Sequence, residues 1–457
     1  MIGGFHPDPS ICRVGPDYYL ACSSFEYFPG VPIFHSRDLV HWEQVGNALE
    51  RPGQLSLPAS VPSSGGVYAP TLRHHDGRFW LVTTDVSGGG TVLFTAADPA
   101  GPWSDPVRLL EVTAVDPDLA WDSDGGCWCT YAGIDYWYLL IAEGGPERGH
   151  GVSVARGPAP DGPFEACPAN PILSHRSTSL EIQNTGHGDL VEAPDGSWWL
   201  VLLGVRPRGG PPGWHGIGRE TYLAPVTWAD GWPVIGAVAP VMTAPPWPPR
   251  PVAAPPARDD FDLPRLHPQW VSVRSRPAGH CSTQDRPGWL TLRANGSSID
   301  DPNVTFVGRR QQHLSCRVRA LADAAEGRGG LAVRLDERHH YEIEVGDGEA
   351  RVSARIGPLR QTVGTAPVPP GRVVLRIDAV ASPLGLALAH PLREPDLLSL
   401  GVEDRDGVFT ELAELDGRYL STEVAGGFTG RVIGMYATAG TVRFDWLDYR
   451  PLADPQA

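Results

Sequence analysis

The chain has 457 residues and a formal net charge of -16, which is enough material for two or three domains with large cores. It contains no lysine, and its arginines are scattered among acids and prolines. No basic stripe or amphipathic helix is therefore present to displace counterions from a nucleic acid or to hold a membrane surface. Apolar runs such as Trp198 to Val205 fall far short of the roughly 18 residues a bilayer span needs. No charged leader followed by an apolar core opens the chain, so a cytoplasmic protein is expected. The first motif begins only three residues from Met1, and a different start would change that reading.

In chain order, the first feature is GFHPDPSI, with Asp8 ahead of a proline. A recurrent unit follows, made of an acidic or Gly turn, two aromatics and an aliphatic run. It occurs as GPDYYLACS, DGRFWLVTT, DGGCWCTYA, YWYLLIAEG and DGSWWLVLLG. With 54 Gly and 47 Pro punctuating short aromatic and aliphatic runs, the pattern predicts an all-β protein with many turns. Repeated units of this kind are the signature of a β-propeller, whose four-stranded blades take about 40 to 45 residues or more. Tyr18 to Phe79 is 61 residues, Phe79 to Trp128 is 49 and Tyr138 to Trp198 is 60, but Trp128 to Tyr138 is only 10. Ten residues cannot build a blade. The expectation is a five-bladed propeller with one blade truncated, or with strands reused, between the third and fourth units.

A Pro-rich stretch then ends the repeats and reads as a stiff linker over residues 244–257. It separates a propeller at 1–243 from a second domain at 258–455. There, HYEIEVGDGEARVSARIG and GRVVLRIDAV alternate with period two around DG turns, which predicts an antiparallel β-sandwich. The seven cysteines (Cys12, Cys22, Cys127, Cys129, Cys167, Cys281 and Cys316) are odd in number and irregularly spaced. Cys127-x-Cys129 lacks a second pair, so buried free thiols are expected rather than a zinc site.

Two acids stand out chemically: Asp8 in GFHPDPSI and Asp116 in AVDPDLAW. Each precedes proline, which restricts the residue before it toward extended backbone and would hold it at a strand end or turn facing the propeller axis. An Asx turn is the structural alternative for either one. SGGG at Ser87 lacks the lysine and spacing of a phosphate loop and reads as a turn. His339 and His340 sit in an alternating strand without further ligands, and no metal site is expected.

The motifs GFHPDPSI, SSFEYFPGVPIFHSRDLVHW, GGVYAPTLRHHDGRFWL, VDPDLAWDSDG, YLLIAEGG, TGHGDLVEAPDGSWW and GRETYLAPVTWADGWPVI, in this order, closely resemble glycoside hydrolase family 43. RDDFD, VGRRQQH and GGFTG resemble the concanavalin-like sandwich attached to that family's β-xylosidases and α-L-arabinofuranosidases. The resemblance implies a five-bladed propeller with the sugar pocket at its axis. It implies an inverting exo-glycosidase that removes terminal β-xylosyl or α-L-arabinofuranosyl residues from xylan-derived oligosaccharides. In such chemistry a carboxylate activates water while an acid about 6.5 to 9.5 Å away protonates the leaving oxygen.

By this resemblance Asp8 is the general base. Asp116 is the third acid, orienting the sugar and raising the catalytic acid's pKa by like-charge repulsion. Phe25 and Tyr68, the latter where Trp is common, flank the sugar. His187 lies at the pocket floor, Arg219 binds hydroxyls, and Phe428 reaches over the rim from the sandwich. Core packing is the alternative for each aromatic. The expected catalytic acid, a glutamate in an EGPH- or EAPH-like motif between Asp116 and the IAEGG strand, is missing together with most of a blade. Glu143 reads as a structural residue, and Glu181 and Glu220 are weaker substitutes, Glu220 because the charge of neighbouring Arg219 depresses its pKa. The readings this leaves are a hydrolase slowed on ordinary sugar linkages by loss of its acid, a catalytically inactive carbohydrate-binding relative, or a defective chain whose propeller does not close. No cofactor is implied, and calcium in the sandwich is compatible with the resemblance although no EF-hand-like acidic loop is present. A small oligosaccharide is the expected partner, and a homo-oligomer is compatible with the sequence.

Overall fold

The aromatic runs become strands because alternating side chains must cover two faces of a sheet. Asp17–Ala21, Arg78–Asp85, Trp137–Glu143 and Trp198–Val205 each stand second in a four-stranded antiparallel sheet. The structure is a computed structural model. It describes residues 2–55, 57–110, 115–121, 127–128, 131–132, 137–210, 212–241, 247–274, 276, 279–380 and 396–453.

Four such sheets form a propeller-like array among the described residues. The first blade runs Ser10–Val14, Asp17–Ala21, Gly30–Ser36, Glu43–Leu49. The second runs Val67–His75, Arg78–Asp85, Gly90–Ala96, Val107–Arg108. The third runs Tyr131–Ala132, Trp137–Glu143, Gly151–Gly157, Glu165–Ala166, and the last Gln183–Glu192, Trp198–Val205, Glu220–Ala229, Trp232–Ile235. The array closes on the N-terminus: Ile2 bridges Thr221, and His6 N–H donates to the Arg219 carbonyl at 3.0 Å.

The short spacing between the third and fourth aromatic units has a structural explanation. Cys127–Trp128 pairs back with Ala120–Trp121 as a two-stranded ribbon, whereas Tyr131–Ala132, from the same sequence unit, opens the next sheet. The described residues of DGGCWCTYA thus divide between two sheets. Trp121 docks the ribbon on the second blade, stacked on His75 with ring centroids 4.5 Å apart.

Beyond the propeller, a twelve-stranded sheet folds around its own core. Two long strands, Cys316–Asp336 and Val432–Pro451, pair along most of their length with register shifts that let them bend from one layer to the other. His339–Gly346 and Glu349–Ile356 form the hairpin that the period-two pattern predicts, turning at Asp347-Gly348. Part of the Pro-rich stretch is anchored on the propeller: Trp247 donates to the Asp38 carbonyl at 2.8 Å and packs edge-on to Trp199. Tyr27–Phe28 pairs with Ser272–Val273, so propeller and sandwich share a small sheet beside an apolar cluster containing Phe5, Phe25 and Tyr436.

Of the cysteines, Cys12, Cys22, Cys167 and Cys316 are buried and free. Cys281 is half-buried and Cys127 is exposed on the ribbon, so the expectation of buried thiols fails there. Cys129 lies outside the described residues. No helix among the described residues is long and apolar enough to cross a membrane.

Candidate active site

Asp8 and Asp116 occupy equivalent places, just ahead of Ser10–Val14 and of Ala120–Trp121. Their backbones correct the extended conformation expected before proline: φ is 56° at Asp8 and 58° at Asp116, the left-handed region. Aspartate enters that region more readily than most residues because its short polar side chain finds local partners. Phe25, Asn184 and His187 also have positive φ, at 52°, 54° and 48°. Such uncommon backbones persist where the surroundings over-determine them, often at functional sites.

The Asp8 carboxylate takes no Asx-turn role. Ser23 Oγ donates to Oδ2 at 2.6 Å, Arg219 Nη1 donates to Oδ1 at 3.0 Å, and His187 Nδ1 stands 3.9 Å from Oδ1. Burial pushes its pKa up, but Arg219, His187 and the Ser23 hydrogen bond outweigh it and hold the carboxyl below the usual range. Gly218, immediately before Arg219, has φ of 81°, and a Cβ there would lie 2.6 Å from Phe5 Cβ. Only glycine lets this turn approach the N-terminal segment and deliver Arg219 to Asp8.

Asp116 behaves oppositely. Lost hydration raises its pKa, and Asp8 adds to the rise while His187 and Arg219 oppose it. The residue is exposed at the mouth of the site, so water limits how far that upward push goes.

An aromatic wall stands over Asp8. Phe25 and Phe428 stack with centroids 5.9 Å apart, and Tyr68 meets Phe25 edge-on at 5.4 Å. The Arg219 guanidinium lies 5.3 Å from the Phe428 ring. Ser64 ties the wall together: its carbonyl accepts from Tyr68 Oη at 2.7 Å, its Oγ accepts from Phe428 N–H at 2.8 Å, and its own N–H donates to Glu26 Oε2 at 2.9 Å. Phe25 is buried, whereas Tyr68 and Phe428 are only partly so. Asp8, Phe25, Tyr68, His187, Arg219 and Phe428 are joined by these contacts, and Asp116 shares a cavity lining with His187 and feels the charges of Asp8 and Arg219.

Several contributors gave no distinctive signal in the sequence. His150 packs its ring 2.4 Å from where a Gly186 Cβ would be, and its Nδ1 pairs with the Asn184 carbonyl at 3.1 Å. Burial lowers its pKa to about 4 and keeps it neutral. Beneath the site, Arg73 from the second blade donates to Asp189 Oδ2 at 2.8 Å and to Asp118 Oδ2 at 2.9 Å. Asp189 also accepts from Ser10 Oγ and Ile11 N–H, both at 2.9 Å. This guanidinium joins the innermost strands of three sheets.

The alternative acids are occupied elsewhere. Glu143 Oε2 accepts from Ser153 Oγ at 2.8 Å, and Glu181 is exposed. Glu220 is buried and clamped by Arg206 at 2.7 and 2.8 Å, not by Arg219 as its sequence neighbourhood suggests. Adjacent residues on a strand point to opposite faces, which separates Glu220 from Arg219. The sequence has no glutamate between Asp116 and Glu143. Within that interval, residues 122–126, 129–130 and 133–136 lie outside the described residues. Among the described residues no group of three or more His, Cys, Asp or Glu is placed to hold a metal ion.

The inner ends of the blades bring acids and an aromatic wall together in one cleft, and comparison with known proteins gives that arrangement its class. The model of "Glycosyl hydrolases family 43" matches residues 1–136 and 131–233, and that of "Beta xylosidase C-terminal Concanavalin A-like domain" matches residues 258–450. The chain is 36% identical to the non-reducing end alpha-L-arabinofuranosidase BoGH43B of Bacteroides ovatus, over 99% of this chain and 94% of that protein. It is 31% identical to a xylosidase/arabinosidase of Butyrivibrio fibrisolvens, over 98% and 97% respectively. Among solved structures, a xylan beta-1,4-xylosidase from Bacillus halodurans superposes with a TM-score of 0.87 at 31% identity, covering 98% of this chain and 99% of that one. The chain belongs to glycosyl hydrolase family 43 and is a glycoside hydrolase.

Proposed function

We propose that the protein is an inverting exo-glycosidase that removes terminal β-xylosyl or α-L-arabinofuranosyl residues from xylan-derived oligosaccharides. Asp8 is the general base and Asp116 the supporting acid. The observation that carries this reading is the Asp8 carboxylate, fixed by Ser23 at 2.6 Å and Arg219 at 3.0 Å and held ionised. Those two donors leave lone pairs on both oxygens free to accept from a water. Phe25, Tyr68 and Phe428 provide aromatic surface for the sugar, with His187 and Arg219 supplying polar contacts. Because the sandwich contributes Phe428 to the rim, the pocket is closed on that side and suits chain ends. The names of the relatives support both sugar classes.

We further propose that the Ala120–Trp121 and Cys127–Trp128 ribbon is the remnant of a fifth blade, and that the general acid was lost with the rest of it. Two facts support this. The family match breaks into two overlapping pieces at residues 131–136, and the alignment with the Bacteroides ovatus relative spans 523 positions where this chain has only 457 residues. The same reading divides the chain into a propeller at 1–243, a linker at 244–257 and a sandwich at 258–455, and it requires no cofactor.

A general acid contributes roughly 10² to 10⁴-fold. Hydrolysis of 4-nitrophenyl β-xyloside or α-L-arabinofuranoside, whose leaving groups need no proton, is therefore expected to exceed xylobiose hydrolysis by about that factor, with added formate restoring part of the latter. Xylobiose turnover as fast as that of the activated substrates would show that another residue supplies the proton.

A further inference from the structure

Buried arginines in this protein usually hold a carboxylate. Arg219 is paired with Asp8 at 3.0 Å, Arg274 and Arg334 with Glu337 at 2.6 and 2.9 Å, and Arg431 with Asp396 at 3.0 Å. Arg309 and Arg310, at the end of strand Thr305–Arg310, depart from this rule. They are 7% and 4% exposed, and neither is ion-paired with a described carboxylate. Among the described residues, Arg310 Nε and Nη2 and Arg309 Nε have no hydrogen-bond partner. The Arg310 guanidinium carbon lies over the face of Phe5 at 4.5 Å, and Arg309 has the Tyr449 ring at 4.3 Å and Gln312 Oε1 at 3.0 Å.

Both arginines line one cleft, formed where three parts of the chain meet. The propeller contributes His6, Phe34 and Trp42, the Pro-rich segment contributes Pro255 and Pro256, and the sandwich contributes His267 and the arginines. The acid among the lining residues, Glu43, is engaged by His35 at 3.4 Å on the exposed side. Burial and the Arg310 charge hold His6 well below its ordinary pKa, so that ring adds no further positive charge but can serve as a neutral partner. Removing two guanidiniums from water without a counter-charge is costly, and an anion that enters and hydrogen-bonds with them offsets part of that cost.

We propose that this cleft is a binding site for a small oxyanion, held by the free N–H groups of Arg309 and Arg310. The planar guanidinium fork matches the paired oxygens of a carboxylate or of an inorganic oxyanion. The bound ion neutralises the cleft and fastens propeller, Pro-rich segment and sandwich to one another. It lies apart from the Asp8 pocket and takes no part in hydrolysis.

The test uses the full chain at fixed ionic strength, titrated separately with sodium phosphate and sodium acetate against a sodium chloride baseline. Melting temperature and isothermal calorimetry are read together. Site binding gives a saturating rise in melting temperature and a one-site heat, and the anion that produces them separates the inorganic from the carboxylate source. Arg310→Met is expected to lose the saturating component, and Arg309→Met serves if the first variant does not fold. Excluded salts also stabilise proteins, but without saturation. A linear rise alike in wild type and variant, no binding heat with either anion, or saturable binding that survives Arg310→Met would each overturn the proposal.

Discussion

Asp8 and Asp116 have nearly the same local sequence, Asp-Pro, and nearly the same φ, 56° and 58°, yet their carboxyl groups are driven in opposite directions. Asp8 is buried, which favours the neutral acid, but Arg219 and Ser23 are in direct contact and keep it charged. Asp116 stands at the mouth without such a contact among the described residues, and Asp8 itself contributes to the rise. The backbone turn supplies two equivalent positions, and the neighbours decide which one is held ionised. That division matters because two carboxylates near one pocket can share the labour only when their environments push their pKa values apart.

The most direct way to break this comparison is to neutralise each acid in turn. Asp8→Asn is expected to lower kcat/KM for 4-nitrophenyl glycosides by roughly 10² to 10⁴-fold, the usual contribution of a general base. Asp116→Asn should cost less on the same substrates, since it removes a supporting charge and leaves the base intact. If Asp8 is the base, as proposed, activity of the unmodified protein is expected to fall as pH drops through the Asp8 pKa. Because that pKa is depressed, the acidic limb should lie below the ordinary carboxylate range. Equal losses in the two variants, or an acidic limb at or above that range, would dissolve the distinction.

Beneath both acids lies Arg73, whose contacts with Asp118 and Asp189 hold together the strands that present Asp8 and Asp116. Arg73→Met leaves two carboxylates without their cation in the centre of the propeller. The penalty for removing one partner of a buried pair is about 3 to 5 kcal/mol, toward the lower end here because Asp118 is partly solvated. Chemical denaturation would measure it. A loss under about 1 kcal/mol, the level of surface pairs, would mean that the cluster does not brace the site.

Much of this architecture was legible in the sequence because it depends on periodicity. The paired aromatics of GPDYYLACS, DGRFWLVTT, YWYLLIAEG and DGSWWLVLLG fall on second strands. The ten-residue interval correctly signalled an irregularity, but not that one unit would split between a ribbon and the next sheet. Its consequence is visible in burial: Trp198–Val205 is buried almost throughout, whereas in Trp137–Glu143 only Tyr138 is, with Ile141 47% exposed. The seven candidate site residues stand out through motif context rather than periodicity. Arg73, Asp118, Asp189 and His150 were missed because a charged residue in a turn-rich sequence carries no mark of burial until the fold encloses it. The positive φ at Asp8 and Asp116 was misread for a related reason: the proline rule describes an average, and tertiary contacts with Arg219 and Ser23 override it at Asp8.

A third carboxyl, Glu26, sharpens the rule drawn from the first two. It adjoins Phe25, is fully buried, and accepts from Ser64 N–H at 2.9 Å, but Oε1 has no partner. Burial raises its pKa to about 7, and the nearby Arg334 is engaged by Glu337 at 2.9 Å and cannot do for Glu26 what Arg219 does for Asp8. The folded protein therefore binds one more proton than the unfolded chain between about 4.5, the unperturbed value, and about 7. Stability contributed by this group is present at the acidic side of that window and is lost as pH rises through it. At 1.36 kcal/mol per pKa unit the loss is at most about 3 kcal/mol. Glu26→Gln removes the titration while keeping an acceptor for Ser64, so the difference in unfolding free energy between variant and wild type should grow in the variant's favour from pH 4.5 to pH 7.5 and then level off. A difference that stays flat across this range would mean that Glu26 is as well paired as Asp8, and that burial without an arginine in contact is not what separates the two.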